Sequence, residues 1–210
     1  YNIAPWSYGG LEGAGFDSGN NLAMADAGYP STVVDWVLVS VRSTPNDTGA
    51  PLCQAAALLH NDGRVEFIDD FECCDLDLAG SYYLVIEHRN HLIIMSPDPL
   101  NVVDRKLSFD FRTNQSYIND PFGFGTFVGQ KEVTVSAQTI YMMLAGNGDQ
   151  ASEAQADTDI NFNDRSFWEP ENGIFGRYRV GDYNMNVDVN FNDRATFEIN
   201  NSKFTSVPRD

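Results

Sequence analysis

A tandem repeat near the C-terminus constrains the fold of this chain more than any other feature. Residues 159–169 read DINFNDRSFWE and residues 188–198 read DVNFNDRATFE, so seven of eleven positions are identical. The two copies begin 29 residues apart. A tandem of about 30 residues is typical of a duplicated loop–helix unit. We therefore predict two such units in the C-terminal region.

The second copy, taken with the residues before it, matches an EF-hand-like calcium loop. Oxygen-bearing residues occupy loop positions 1, 3, 5, 7, 9 and 12, and these are Asp182, Asn184, Asn186, Asp188, Asn190 and Asp193. Calcium binds roughly six to eight hard oxygens, and a tightly wound loop turns every second residue towards its centre. Position 7 binds through its backbone carbonyl, while position 12 returns a carboxylate from the start of the next helix.

Two residues of this second loop depart from the usual pattern. Val187 stands at position 6, where glycine normally permits the sharp turn, so we expect the loop geometry to be distorted. Asn186 at position 5 lowers the ligand charge, which predicts weaker affinity than in a buffer-type site. Val189 at position 8 is the apolar residue that we expect to pair the two loops.

The first copy is less regular than the second. It keeps oxygen-bearing residues at positions 5, 7, 9 and 12, which are Asp157, Asp159 (through its carbonyl), Asn161 and Asp164. Positions 1 and 3 have two solutions. Either Glu153 and Gln155 occupy them, or residues 151–156 are an insertion and Asn147 and Asp149 supply the ligands.

The charge balance excludes some partners and agrees with a bound cation. Thirteen basic residues face 30 acidic ones, so the formal net charge is −17. A nucleic-acid binder needs a cationic footprint, which this composition does not supply, and an anionic membrane surface is excluded for the same reason. No apolar run reaches the ~20 residues that span a bilayer, so we expect no membrane insertion. The acidic excess agrees with either bound divalent cations or solubility in a saline extracellular medium.

The chain upstream of the tandem has the pattern of a mainly β domain. Short β-branched or alternating segments predict strands at residues 33–41, 55–60, 64–68, 81–88, 91–95 and 106–112. Asn61-Asp62-Gly63 is a strong turn signal between two of them. Short strands with a turn about every ten residues are typical of an antiparallel β-sandwich of the Ig-like or prealbumin-like kind.

Three segments complete the predicted organisation. Residues 1–30, rich in Gly, Asn and Ala with scattered aromatics, are predicted to form an extended N-terminal arm. Residues 31–136 form the β-sandwich domain, with a further strand at 132–135. Residues 137–210 form a small calcium-binding subdomain, entered by a short helix over 139–145.

The cysteines and the first residue both bear on the cellular compartment. Cys53, Cys73 and Cys74 match no zinc pattern, so in an oxidising compartment we expect Cys53 to pair with Cys73 or Cys74. One thiol is then left free or cross-links subunits, and three reduced buried cysteines are the alternative. The chain begins at Tyr1 rather than Met, which we interpret as a processed, secreted chain.

Candidate catalytic groups are weak in this sequence. His88-Arg89-Asn90-His91 contains the only histidine pair, and we interpret it as a strand-end corner whose polar groups tie loops together. No Gly-x-Ser-x-Gly elbow accompanies the Ser, His and Asp residues. Paired carboxylates arise by chance in so acidic a chain. We therefore expect no enzymatic activity.

Taken in order, these features resemble a module of secreted Bacteroidota proteins that ends in a dockerin type I-like calcium-binding tandem. Besides the tandem, the motifs that carry the resemblance are Val34-Asp35-Trp36-Val37-Leu38-Val39, Ala57-Leu58-Leu59 before Asp62-Gly63, His88-Arg89-Asn90-His91-Leu92 and Thr205-Ser206-Val207-Pro208. They cover about residues 30–208. The resemblance implies bound Ca²⁺, paired loops and an extracellular or cell-surface location. Modules of this family usually sit at the end of large surface proteins, whereas we expect this one to be the whole protein.

The functional expectation is a secreted, calcium-binding structural protein. Its expected partners are copies of itself in a filament or surface layer, because the chain carries an aromatic N-terminal arm at residues 1–8 and an odd cysteine. The alternative is a monomeric adhesion or docking module that binds a protein or a glycan.

Overall fold

A computed structural model describes residues 8–10, 28–46, 51–68, 75–150 and 158–208. Most of the predicted N-terminal arm therefore lies outside the described residues. The same holds for five residues that entered the predictions, namely Cys73, Cys74, Glu153, Gln155 and Asp157.

The first half of the chain forms one antiparallel sheet. Its strands are β1 (Val33–Arg42), β2 (Cys53–His60), β3 (Val65–Phe67), β4 (Ser81–His88), β5 (His91–Met95) and β6 (Leu100–Asn101). The order across the sheet is β3-β2-β1-β4-β5, and β6 pairs with the beginning of β4. The mainly β, antiparallel character predicted from the sequence is confirmed.

Strand β1 lies at the centre of this sheet and is covered on both faces. Val37 and Val39 belong to a buried cluster against which Phe111 and Met143 pack. On the opposite face Trp36 belongs to a cluster completed by Tyr29, Tyr178 and other side chains. A strand covered on both faces needs a nearly continuous apolar sequence, and this explains the long β-branched run of β1.

Two predictions about this region are not met. The sandwich is not confirmed, because β1–β6 belong to a single sheet. The strand predicted at residues 106–112 is wrong, since only Lys106 makes a bridge, to Val103, and residues 107–112 are irregular. Leu107 and Phe111 instead pack against clusters of the sheet. Their alternation with polar residues therefore reflects coverage of the sheet rather than strand pairing.

The helix predicted at residues 139–145 is also wrong. Strand β7 (Phe127–Val128) is followed by a hairpin of β8 (Lys131–Val135) and β9 (Gln138–Met142). Ser136 and Ala137 form its tight turn with left-handed φ values of 50° and 64°. Thr139, Ile140 and Tyr141 are β-branched or aromatic, and cross-strand pairs favour strand for such residues over a short helix. The strand predicted at 132–135 is confirmed.

The tandem folds as two loops, each followed by a helix. Its elements are β10 (Asp159–Ile160), α1 (Phe162–Trp168), α2 (Phe191–Asn200) and β11 (Lys203–Thr205), with a 3₁₀ turn over Glu169–Glu171. Strand β11 pairs antiparallel with β10 and parallel with β7. The boundary proposed between residues 136 and 137 falls in the turn of the β8–β9 hairpin and stays a prediction.

Two further findings concern the covalent structure and the membrane. Cys53, the first residue of β2, is disulfide-bonded, which confirms the prediction that this cysteine forms a disulfide. Within the ranges that the structure describes, no helix is long and apolar enough to cross a membrane.

Candidate calcium-binding loops

The second loop is wound tightly around the carboxylate of Asp182. This carboxylate accepts hydrogen bonds from the backbone N–H groups of Asn186 at 3.0 Å and Val187 at 2.8 Å. The side-chain oxygen of Asn184 accepts a second bond from the N–H of Asn186 at 3.1 Å. Positions 1 and 3 therefore face the same turn of backbone, as a cation-binding loop requires.

The turn itself is made by residues in left-handed conformations. Val187 has a φ of 67° and Met185 a φ of 57°. Position 6 thus adopts the conformation that glycine usually supplies, although a β-branched residue occupies it. The left-handed region costs a non-glycine residue about 1–2 kcal/mol, so the loop is closed under strain.

Asp193 closes the other end of the second loop. Helix α2 begins after its N-cap residue Asn190, and Asp193 is the third helical residue. Its two carboxylate oxygens accept from the N–H of Asn184 at 3.1 Å and from the N–H of Asn190 at 2.8 Å. The residue is fully buried. The carboxylate at position 12 thereby links position 3 of the loop to the N-terminus of the helix.

The first loop repeats this arrangement around Asp164. Its Oδ1 accepts from the N–H groups of Gly148 at 2.6 Å and Asp149 at 3.2 Å, and its Oδ2 accepts from the N–H of Asn161 at 2.6 Å. Asp149 therefore bears the same relation to Asp164 that Asn184 bears to Asp193. Of the two solutions for positions 1 and 3, this geometry favours Asn147 and Asp149, with residues 151–156 as an insertion.

The side chain of Asn147 offers a test of whether a cation fits the first loop. The residue is fully buried, and its amide oxygen and nitrogen have no hydrogen-bond partner in the part of the chain that the structure describes. A buried polar group without a partner costs about 1–3 kcal/mol. A hard cation would provide a partner for the amide oxygen, so the residues present fit calcium here.

Burial also acts on the carboxylates of the second loop. Burial raises the pKa of Asp182 to about 6, against the opposing effects of Arg89 and of the two backbone N–H donors. Burial also raises the pKa of Asp193. A divalent cation between these groups would favour their charged forms and reverse both shifts.

No group of three His, Cys, Asp or Glu side chains close enough to hold a metal ion occurs among the described residues. This finding has a chemical reason in the second loop. Only positions 1 and 12 would bind there through a carboxylate, because positions 3, 5 and 9 are Asn and position 7 uses its carbonyl. A site of this composition suits a hard cation that accepts neutral oxygens.

The remaining predicted ligands take other contacts. The carboxylate of Asp188 accepts from the N–H of Gly176 at 3.0 Å, and its backbone carbonyl, the group assigned to position 7, accepts from the amide nitrogen of Asn190 at 3.3 Å. At position 9, the side-chain oxygens of Asn161 and Asn190 cap the helices by accepting from the N–H of Asn163 and of Asn192. The Asp159 carboxylate accepts from the Asn161 amide at 3.2 Å.

The prediction that Val189 pairs the two loops is wrong at the level of the backbone. Val189 exchanges its bonds with the 173–174 segment, and its N–H donates to the Ile174 carbonyl at 2.8 Å. Its counterpart Ile160 pairs with Lys203 of β11. The intervening segment 172–177 thus takes the place of the partner loop. Val189 and Ile160 are both fully buried in one cluster with Trp168.

The two units still touch through side chains. The hydroxyl of Tyr183 donates to the carbonyl of Asp164 at 2.8 Å, and the indole N–H of Trp168 donates to the carbonyl of Asn190 at 2.9 Å. Gly148 lies so close to the Tyr183 ring that a Cβ there would be 2.4 Å from the hydroxyl oxygen. Position 2 of one loop therefore packs on position 2 of the other.

The turn between β4 and β5 ties both loops to the sheet. The amide nitrogen of Asn90 donates to the carbonyls of Val180 and Asp182, at 2.8 and 2.9 Å. The carbonyl of Asn90 accepts from the N–H groups of Gly146 and Asn147, at 2.9 and 3.1 Å. This confirms the interpretation of residues 88–91 as a corner that holds loops together.

A buried ion pair beside this turn was not predicted. Asp35 of β1 is fully buried and its Oδ2 lies 2.9 Å from the guanidinium of Arg89. The Tyr178 hydroxyl donates to Oδ1 at 2.6 Å, and Arg89 also stacks on the Tyr178 ring and donates to the Arg179 carbonyl. Burial opposes the ionisation of Asp35, but Arg89 and His88 outweigh it and hold its pKa well below the usual range.

Comparison of the chain with protein-family models, with curated proteins and with solved structures found no match.

Proposed function

We propose that this chain is a non-enzymatic structural protein that binds two calcium ions through the tandem loops. The observation that carries the proposal is the repeated placement of Asp164 and Asp193. Each buried carboxylate binds a position-3 N–H and the N-cap N–H of the following helix. Each loop also carries oxygen-bearing residues at alternate positions. Carboxylate, amide and carbonyl oxygens are the donors that calcium prefers.

The proposed role of calcium is to stabilise the folded loops. A cation in the second loop binds Asp182 and Asp193, and it offsets the burial that raises the pKa of both groups. In the first loop it binds the buried amide oxygen of Asn147. Because the ion binds the folded loops and not the unfolded chain, it stabilises the protein by mass action.

Thermal unfolding in chelator and in calcium tests this role. At a calcium concentration about 100 times the dissociation constant, one site adds roughly 2.7 kcal/mol to the free energy of unfolding. We expect a rise of several degrees in Tm, with a much smaller rise in an equal concentration of magnesium. Identical Tm values in chelator and calcium would contradict the proposal.

We further propose that the protein is secreted and assembles with copies of itself, as a filament or surface layer does. The disulfide at Cys53 supports an oxidising compartment. Five phenylalanines in the described ranges are more than 60% exposed, which supports contact with a partner; they are Phe122, Phe124, Phe162, Phe175 and Phe191. The finer fold that we propose is the sandwich-plus-dockerin-like arrangement of the Bacteroidota module.

Sedimentation velocity with negative-stain microscopy tests assembly. We expect large ordered particles in millimolar calcium that loosen on chelation. A sharp monomer in both conditions would contradict self-assembly. It would favour the alternative, a monomeric adhesion or docking module for a protein or glycan partner, and it would leave calcium binding untouched.

A further inference from the structure

One fully buried residue, Asn90, contacts the beginning of both loops. Its amide nitrogen donates to two carbonyls of the second loop segment, those of Val180 and Asp182. Its carbonyl accepts from Gly146 and Asn147 at the start of the first loop. Position 1 of each loop, Asn147 and Asp182, is thus hydrogen-bonded to the same residue.

The orientation of the Asn90 side chain is fixed by its neighbour. Nδ1 of His91 lies 2.8 Å from the amide oxygen of Asn90. Burial, together with His88, holds the pKa of His91 well below its usual range, so the ring is neutral at pH 7. A neutral ring that donates from Nδ1 to this oxygen leaves the amide nitrogen directed at the second loop.

This connection is additional to the side-chain contacts between the two units. In the described ranges the position-8 residues pair elsewhere, Val189 with Ile174 and Ile160 with Lys203. Tyr183 packs on Gly148 and donates to the Asp164 carbonyl, and Trp168 donates to the Asn190 carbonyl, but neither side chain bonds the position-1 backbone of both loops. Asn90 does so through two hydrogen bonds to each side.

We infer that Asn90 is a positioning residue that couples the two calcium sites, so that the ions bind cooperatively. An ion in one loop orders its position-1 residue and, through Asn90, the position-1 residue of the other. The second ion then binds a loop whose ordering cost has already been met. This inference rests on the proposed calcium function.

Calorimetric titration of metal-free protein with Ca²⁺ tests the coupling. For the unmodified chain we expect positive cooperativity, with a coupling factor in the range of about 5–150-fold that is common for linked sites. Asn90→Ala removes the bonds to the second loop and keeps the carbonyl that binds the first. We expect this variant to bind two ions independently.

A matched control separates coupling from general loss of stability. Thr205→Val removes two buried hydrogen bonds of the Thr205 hydroxyl, one donated to the Ile93 carbonyl at 2.8 Å and one accepted from the Val207 N–H at 3.1 Å, and neither reaches a loop. We expect Thr205→Val to lower Tm and keep the cooperativity. A purely structural role of Asn90 would lower Tm in both variants and leave the ratio of the two binding constants unchanged in both.

Three results overturn the coupling. They are independent binding of two ions by the unmodified chain, retained cooperativity in Asn90→Ala, and loss of cooperativity in Thr205→Val. The first of these leaves the calcium function intact, whereas no binding at all refutes that function itself. If Asn90→Ala does not fold, Asp182→Asn still tests the coupling itself, since loss of the second site must weaken the first by the coupling factor. Unchanged affinity of the first site would then contradict the inference.

Discussion

Asp182 is a buried acid whose charged form a bound cation would favour. It is 2% exposed, it faces two backbone N–H groups, and burial raises its pKa to about 6. In the calcium-free chain the group therefore begins to take up a proton just below neutral pH. In the proposed calcium-bound chain the ion would replace that proton. Competition between the two would make calcium binding by this loop depend on pH.

Calcium affinity should fall as pH falls through this range. At pH 5 a group with a pKa of about 6 is mostly protonated, so the affinity of the second site should be about tenfold lower than at pH 7. Calcium-free protein should behave in the opposite way. Its folded pKa lies above the unfolded value, so this group stabilises the fold most below pH 4 and that contribution is lost as pH rises through 6. Calcium titrations at several pH values, with chelator melts alongside, check both signs.

Val187 is a second residue whose chemistry and conformation disagree. A glycine at this position would adopt the left-handed φ without strain, although it would lose the half-buried side chain and gain freedom in the unfolded chain. We expect Val187→Gly to raise the free energy of unfolding of the calcium-free protein, by up to about 1–2 kcal/mol from relief of the strain. Lower stability of Val187→Gly than of the unmodified chain in denaturant unfolding would contradict this account.

Met185→Gly provides the comparison for that variant. Met185 has a similar φ, but it is not β-branched and its strain is correspondingly smaller. We expect a smaller gain from this substitution.

Residue-level prediction from sequence is most specific where spacing is regular, and the assignment of the loop residues as calcium ligands stays a prediction. The ligands of the second loop follow from alternation, and the structure winds Asp182, Asn184 and Asp193 around one turn. The first loop left two solutions because oxygen-bearing side chains occur both at positions 153 and 155 and at positions 147 and 149, and the bond from the Asp149 N–H to Asp164 favours the second pair. The link between Asp35 and Tyr178 joins residues 143 positions apart, which no local pattern encodes. The one sequence feature that indicated this link was the carboxylate of Asp35 within the apolar run of β1.

At the scale of elements, the Asp35–Arg89 pair holds three segments in one arrangement. Asp35 belongs to β1, Arg89 to the β4–β5 turn, and Tyr178 and Arg179 to the segment that leads into the second loop. Because the pair is buried, its loss leaves an uncompensated charge rather than a solvated one. The sheet and the second loop are therefore coupled in stability.

Asp35→Asn should destabilise the protein strongly. Removing one partner of a buried ion pair costs about 3–5 kcal/mol, since Arg89 stays buried without its counter-ion. Denaturant unfolding followed by circular dichroism measures the loss. Asp98→Asn removes the same charge from an exposed site and should change stability by less than about 0.5 kcal/mol. Equal stabilities of the two variants would show that the pair does not hold these segments.

The elements that sequence predicted well are those with long, unambiguous patterns. The strands that became β1, β2, β4 and β5 were placed within a few residues. Residues 139–145 were predicted as helix, although β8 directly precedes them and a two-residue turn allows immediate pairing. Residues 106–112 alternate like a strand but find no partner edge in the described sheet. In both cases the outcome depends on which neighbour is available, and that is a tertiary property.

At the scale of the whole molecule, a net charge of −17 opposes both folding and self-association. Two bound calcium ions would offset four of those charges, at the place where buried carboxylates concentrate. The count of strands could not reveal whether they divide between two sheets, because pairing partners decide this. Calcium binding must therefore be measured first, because cooperative coupling and calcium-dependent assembly both require it.

Calcium stoichiometry tests whether each of the two tandem loops binds an ion. Metal-free protein, Asp164→Asn and Asp193→Asn are each titrated with Ca²⁺ by calorimetry, and Asp98→Asn serves as a charge-matched control. We predict two ions for the unmodified chain and the control, and one ion for each loop variant. Absence of binding by the unmodified chain, or two equally tight ions in both loop variants, would contradict the account.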